Sequence, residues 1–320
     1  MEYRTLGRTG LRVSVAGLGC GGNSRLGLGT GKSEAEAIAL VRAALDLGVT
    51  FFDTAAAYGT EAVLGKALKG VPRERIVIAT KASWGPLSPE RVVASLDRSL
   101  RRLGTDYIDV FQLHGVSPAA YAQAREVVAP ALLRERDKGK LRFLGITEAA
   151  SSDAEHRMLE RAAADGIWDT VMVAFHMLHQ NARERVFPLT RRHRIGTLLM
   201  FAVRNIFSRP QRLQATMRAL AAQGAVPSWL AASEDPLGFL VHDGGARSLV
   251  DAAYRYVRHE PGVDVVLFGT GDQDHLRANI ASLLAPPLPE ADRDRLRELF
   301  GHLVGVGLDL PGFAGGPAPL

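Results

Sequence analysis

Three apolar, strand-like runs in this chain finish on, or just before, an ionisable side chain. Phe51-Phe52 runs into Asp53 with Tyr58 one short turn later, Ile76-Val77-Ile78-Ala79-Thr80 runs into Lys81, and Tyr107–Leu113 runs into His114. A buried apolar strand has no packing reason to end in this way. The four residue types make sense together as a proton-delivery device. A phenol of ordinary pKa, about 10, releases its proton reluctantly near neutrality, and a nearby ammonium eases the transfer by stabilising the phenolate. Tyr58 is then the donor and Lys81 supplies the ammonium. Asp53 keeps Lys81 charged and oriented, while His114 hydrogen-bonds a substrate carbonyl oxygen. The chemistry is acid-assisted addition to a carbonyl, and it needs no protein nucleophile if the electrons arrive as a hydride from a cofactor. Taken singly, these residues would read as a strand-end cap, a half-buried aromatic, a snorkelling lysine and a polar cap.

Bringing them together requires elements that end on one rim. Short β-rich runs at Val13–Gly17, Thr50–Asp53, Ile76–Lys81, Tyr107–Leu113, Arg142–Ile146, Thr170–Ala174, Thr197–Phe201 and Asp264–Phe268 alternate with stretches of helical periodicity. Helices are expected at Ser33–Leu47, Glu61–Leu68, Ser88–Leu103, Ala119–Lys138, Asp153–Ala164, Glu184–Arg194 and Ser248–Arg258. Ser33-Glu34-Ala35-Glu36 fits a capping box that opens the first of them. Eight strands with intervening helices, after a hairpin-like Tyr3–Leu11, predict an α/β chain folded as one (β/α)8 TIM barrel over residues 1–320. Strand C-termini in such a barrel share one face, so Asp53, Lys81 and His114 should converge there, with Tyr58 in the loop above. The link Arg204–Arg247 is long for a connection; it is expected to be a variable insertion with a helix at Gln211–Gln223. The Pro/Gly-rich Asp309–Leu320 reads as a mobile tail.

The bulk composition excludes several classes. At 320 residues, 47% hydrophobic and 23% charged, the chain suits a single globular barrel. Its net charge of +5 is spread over helical stretches that also carry Asp and Glu, which argues against a nucleic-acid footprint and leaves room for an anionic ligand. No apolar run approaches the roughly 20 residues that span a bilayer. The opening Met1–Thr5 is not a secretory signal, and Cys20 is the only cysteine, so no intrachain disulfide can form; a cytoplasmic enzyme is expected.

Phe51–Gly59, Thr80-Lys81 and Gln112-Leu113-His114 closely resemble the aldo-keto reductases, whose catalytic tetrad is Asp, Tyr, Lys and His in this order. Tyr3–Val13 is similar to the family's N-terminal hairpin, and Gly17–Gly22, Gly145–Glu148 and Gly269–Asn279 are similar to its first-strand, fifth-strand and late cofactor-binding segments. The resemblance implies reduction of an aldehyde or ketone by NAD(P)H lying across the barrel mouth, with NADPH preferred and NADH the alternative. It also implies cofactor contacts from Gly22, Asn23 and Asp53. Thr147, Glu148 and Met172 stand where the family usually carries Ser, Asn and Gln at the nicotinamide amide. Met200 or Phe201 stands where a side chain packs on the ring. Arg204 and Asn205 follow at the rim, Gly269 and Gly271 lie in the late segment, Asn279 matches an adenine contact, and His275 falls where a basic residue often meets the 2′-phosphate. Arg277 is a second candidate for that charge. Tyr58, Trp84 and His114 are expected to face substrate.

His176 and His179 have a spacing that could suggest a metal, but no Cys or carboxylate of supporting spacing accompanies them. They are expected at the rim or pocket wall, and no metal is expected. The glycines of Gly27–Gly31 read as ordinary loop residues. Two other functions fit the same residues: a Schiff-base lyase or aldolase with Lys81 as nucleophile, and a cofactor-binding sensor or partner subunit without turnover. Oligomeric state is not legible.

Overall fold

A computed structural model describes residues 1–82 and 88–308. Ten strands are formed: β1 Tyr3–Thr5, β2 Arg12–Ser14, β3 Ala16–Gly19, β4 Phe51–Asp53, β5 Val77–Lys81, β6 Ile108–Val116, β7 Leu141–Glu148, β8 Thr170–Ala174, β9 Gly196–Met200 and β10 Val265–Phe268. β3 to β10 close into a parallel barrel in sequence order, β10 returning to pair with β3, and helices follow the barrel strands. The (β/α)8 barrel and its N-terminal hairpin are therefore as the sequence implies.

The alternation of each strand decides what faces the barrel axis. Phe51, Val77, Ala79, Val110, Met172, Leu198 and Val265 pack together inside, whereas Phe52, Ile78, Phe111, Leu144, Val171 and Leu199 belong to the larger core under the helices. Asp53 lies two residues after Phe51, Lys81 two after Ala79, and Gln112 and His114 two and four after Val110. Each therefore shares the inward parity of the apolar residue below it. Register sets their heights: Asp53 pairs with Ala79, and Lys81 with Gln112. The polar residues form the top layer of the barrel filling.

The antiparallel β1–β2 hairpin closes the opposite end, where Leu6, Leu11 and Val13 join the inner apolar cluster. The run expected as one strand, Val13–Gly17, divides at Val15. Ser14 Oγ accepts from Thr50 N at 2.9 Å and Thr50 Oγ1 from Ser14 N at 3.0 Å, which anchors the hairpin to β4 before the barrel strand begins.

Other boundaries shift for local reasons. The stretch Ala119–Lys138 holds a π-helical segment at Ala124–Val128, just before Pro130. Proline has no N–H and clashes with the carbonyl four residues back, and a wider turn relieves both. Glu184–Arg194 divides into Ala182–Arg185 and Phe187–His193, the second opening with Pro188. The helix expected from Asp153 begins at Arg157, because the Asp153 carboxylate accepts from Arg157 N and Met158 N at 3.1 and 2.9 Å and so caps it. The insertion forms helices at Asn205–Ser208, Pro210–Ala222 and Ser228–Ala232; Gln273–Leu284 and Glu290–Phe300 are helices that periodicity did not reveal.

Leu6 is fully buried in the plug beneath the barrel. Leu6→Ala should lower unfolding stability by about 2–5 kcal/mol, the usual range for a buried leucine, with a lower urea midpoint and an unchanged m-value.

Candidate active site

Backbone bonds fix the rim first. Thr54 N donates to Ala79 O at 2.9 Å and Ala56 N to Lys81 O at 3.2 Å, so the chain leaving β4 is laced to β5; Tyr58 N then donates to Ala55 O at 3.0 Å in a tight turn. That turn returns the phenol over the barrel axis. Its hydroxyl stands 3.4 Å from His114 Nε2, with the two rings edge to face at 5.6 Å between centroids. Lys81 Nζ lies 5.0 Å from the Tyr58 ring centroid. It donates to Asp53 Oδ2 at 2.6 Å and to Thr54 O at 2.8 Å, with no solvent exposure of its side chain. All four residues expected from the sequence converge.

Three neighbours that sequence reasoning gave no role make this geometry work. Gln112 Nε2 donates to Asp53 Oδ1 at 3.2 Å, so both carboxylate oxygens are held. Gly145 leaves space for that glutamine, since a Cβ there would fall 2.7 Å from Gln112 Cγ and 2.5 Å from Thr170 Oγ1. At Gly21 a Cβ would lie 2.5 Å from Tyr58 Cε2, so only glycine admits the phenol ring in its place. The inward parity of Gln112 was the available signal; the glycines gave none that distinguished them from ordinary loop and strand glycines.

Electrostatics assigns the protons. Burial works against the Lys81 ammonium, but Asp53 and Tyr58 overcome it and raise its pKa. Lys81 therefore stays charged, with the Asp53 oxygens as acceptors. Burial drives Tyr58 upward, opposed next by Lys81, and the net direction is up. Lys81 acts with the sign expected from the sequence, stabilising the phenolate, while removal from water outweighs it in the net direction. His114 is pushed well below its ordinary value, by burial and then by Lys81, and is a neutral imidazole near pH 7. The rim thus holds a protonated phenol, a neutral imidazole and a charged pair beneath them.

Above them opens a cavity of about 970 Å³. Asp53, Tyr58 and His114 lie in its lining, with Gly22 and Asn23 beside them and Thr147 and Met172 across the mouth. Met200, Phe201, Arg204, Asn205, Gly269, His275 and Asn279 also line it. Phe201 holds a left-handed backbone, φ 71°, with the Arg204 guanidinium 4.3 Å from its ring centroid. Such strain in a residue with a Cβ is characteristic of ligand-clamping positions.

Several expectations need correction. Glu148 belongs to the lining, but its side chain has no exposure and turns to His156 and to the backbone of β8, because a carboxylate so deep must find donors. Gly271 does not line the cavity; it packs on Gly27, whose Cα would lie 2.4 Å from a Cβ at that position. Arg277 pairs with Asp274 at 3.0 Å on the surface, outside the cavity lining. His176 and His179 are fully buried rather than at the rim. Their Nδ1 atoms accept from Leu178 N and Gly305 N at 3.2 Å, and burial keeps both rings neutral, His179 near a pKa of about 3. Among the described residues no group of three or more His, Cys, Asp or Glu is arranged to hold a metal, and no helix is long and apolar enough to cross a membrane. Trp84 and Asp309–Leu320 lie outside the described residues.

A parallel eight-stranded barrel with Asp, Tyr, Lys and His gathered at one rim defines a class of reductase, and comparison with known proteins names it. The model of the Aldo/keto reductase family matches residues 17–300, and the chain belongs to that family. Aldo-keto reductase YhdN of Bacillus subtilis is 27% identical over 301 residues, covering 87% of each chain. L-galactose dehydrogenase of Arabidopsis thaliana is 42% identical over 157 residues; this covers 46% of the present chain and 48% of the plant protein, so the match spans about half of that relative. Among solved structures, the apo form of aldo-keto reductase AKR11C1 from Bacillus halodurans superposes with a TM-score of 0.69 at 26% identity, covering 94% of this chain and 96% of the other.

Two outcomes follow from this geometry. Gly21→Ala should displace the Tyr58 ring and lower kcat by about a hundredfold, as misplacement by about an ångström does in other sites. At saturating cofactor and substrate, kcat for reduction should show no step at the ordinary imidazole value of about 6.5 or below the ordinary phenol value of about 10, since His114 stays neutral and Tyr58 protonated across that range. A pH–rate profile checks this.

Proposed function

We propose that this chain reduces an aldehyde or ketone to an alcohol with NAD(P)H, and that Tyr58 delivers the proton. The observation that carries this reading is the approach of Tyr58 Oη to His114 Nε2 directly above the buried Lys81–Asp53 pair. A carbonyl oxygen in the cavity within reach of both the phenol and the imidazole would meet two donors when the neutral His114 carries its hydrogen on Nε2. As negative charge develops on that oxygen, Tyr58 passes its proton across. Lys81 then stabilises the phenolate left behind, and Asp53, held by Gln112, keeps the ammonium in position.

The cavity suits a dinucleotide. Its acids are compensated, Asp53 by Lys81 and Glu148 by His156, while Arg204 and His275 add basic groups to the lining. Bound there, NAD(P)H supplies the hydride. Gly22, Asn23, Thr147, Met172, Met200, Phe201, Arg204, Asn205, Gly269, His275 and Asn279 would hold it, with Arg204 and His275 the candidates to meet a 2′-phosphate. A Schiff-base reaction at Lys81 needs a free amine, and the charged, doubly hydrogen-bonded Lys81 opposes it. The proposed setting is cytoplasmic, and a small carbonyl compound is the proposed substrate.

A panel of aldehydes, ketones and aldoses assayed with NADPH and NADH in parallel tests this. Aldoses are included because the Arabidopsis relative is named for L-galactose. Tyr58→Phe should lower kcat by about 10²–10⁴-fold and leave cofactor binding intact, as for loss of a general acid. His275→Ala should raise KM for NADPH several-fold and leave that for NADH unchanged. Undiminished turnover by Tyr58→Phe contradicts the proton donor; cofactor binding without turnover on any carbonyl favours a sensor.

A further inference from the structure

A second buried ionisable cluster lies under the rim between β7 and β8, and carbonyl reduction makes no direct use of it. Glu148, the last residue of β7, places Oε2 2.7 Å from His156 Nδ1, and neither side chain has any exposure. Glu148 Oε1 accepts from Ala174 N at the end of β8, also at 2.7 Å. His156 Nε2 lies 3.0 Å from Asn181 Oδ1, and Asn181 Nδ2 donates to Ala154 O at 2.8 Å. That last bond orients the amide. Its oxygen, an acceptor only, faces the ring, so Nε2 carries a hydrogen. The Glu148–His156 contact is then closed by one proton. Drawn as imidazolium and carboxylate or as imidazole and carboxylic acid, the pair has no net charge.

The chain between the partners forms the cavity wall. Ala149, Ala150, Ser151 and Ser152 follow Glu148 and line the mouth next to Thr147. His156, which closes this loop, holds a left-handed backbone at φ 55°, uncommon for a residue with a Cβ and sustained only where surrounding contacts enforce it. The bonds from Glu148 and Asn181 are such contacts.

We propose that Glu148, His156 and Asn181 are positioning residues whose single-proton contact staples the Ala149–Ser152 wall to β8 and thereby sets how tightly the cavity holds a dinucleotide. The proposal rests on the dinucleotide reading above and adds a pH dependence to it. The groups facing the pair are Asp153, which favours the imidazolium, and the neutral His179, whose ring centroid is 5.0 Å from that of His156; His176 lies beyond, 5.9 Å from His179 and near Arg204. Burial opposes the imidazolium, Glu148 outweighs it, and the His156 pKa is raised. The staple is therefore complete below the ordinary imidazole range and is lost as pH rises through the raised value, when carboxylate and unprotonated Nδ1 face each other.

Calorimetric titration of NADPH into wild type, Glu148→Gln and His156→Leu across neutral and alkaline pH tests this. In Glu148→Gln the amide oxygen can still accept from Ala174 N, and its NH2 can donate to neutral His156. This variant should bind NADPH within about threefold of wild type at neutral pH and lack the further alkaline loss, about tenfold, that wild type should show. His156→Leu should bind about tenfold more weakly at every pH, with kcat at saturating NADPH within about threefold of wild type. Wild-type affinity in His156→Leu, or an undiminished pH dependence in Glu148→Gln, overturns the proposal alone. Failure of wild type to bind NADPH or NADH would overturn it together with the dinucleotide reading. Should His156→Leu not fold, the Glu148→Gln profile still decides.

Discussion

An ammonium with no access to water, 2.6 Å from one carboxylate, is the constraint around which this barrel is arranged. Removing either partner of such a pair typically costs about 3–5 kcal/mol, because a buried charge is left without compensation. The surrounding residues can be understood as meeting its requirements. Gln112 holds the carboxylate oxygen that Lys81 leaves, Thr54 gives Lys81 a carbonyl, and Gly145 makes room for Gln112. Apolar replacements could fill the same space, but they would place no positive charge beneath a phenol. The pair puts its ammonium 5.0 Å from the centroid of the Tyr58 ring.

Burial and charge act on Tyr58 in opposite senses, and their balance suits an acid. Burial alone would make the phenol hold its proton throughout the reaction; the Lys81 field alone would favour phenolate before substrate arrived. With burial ahead in the resting protein, Tyr58 stays protonated, and the nearby ammonium acts when charge moves onto the phenol oxygen. At His114 burial and Lys81 act together and keep the imidazole neutral, so one cation opposes burial at the phenol and reinforces it at the imidazole. The Glu148–His156 contact is organised differently, with its charges cancelled and its hydrogen bonds joining two strand ends and a loop.

The barrel and the meeting of Asp53, Tyr58, Lys81 and His114 at one rim were legible in the sequence because both depend on short-range patterns. Apolar runs at βα spacing specify a parallel barrel, and polar residues at strand ends, in step with inward-facing neighbours, specify one rim. Less was visible where contacts depend on tertiary packing. Glu148 was expected to meet cofactor, but its distance from water and from His156 is set by how β7 packs on β8 and the following loop. The needs at Gly21 and Gly145 arise from side chains far away in sequence. The net direction of the Tyr58 shift was not legible, because an ordered list of residues conveys which charges meet and not how much water is removed from them.

Tyr58 rests as a neutral phenol, and Lys81 favours its ionised form. Ultraviolet difference titration of wild type against Tyr58→Phe isolates the Tyr58 phenolate, and the same titration in a Lys81→Met background isolates the effect of the ammonium. Phenolate should appear only above the ordinary phenol value of about 10 and move still higher when Lys81 is replaced. A phenolate present near neutral pH, or a Tyr58 titration that falls when Lys81 is replaced, would contradict it.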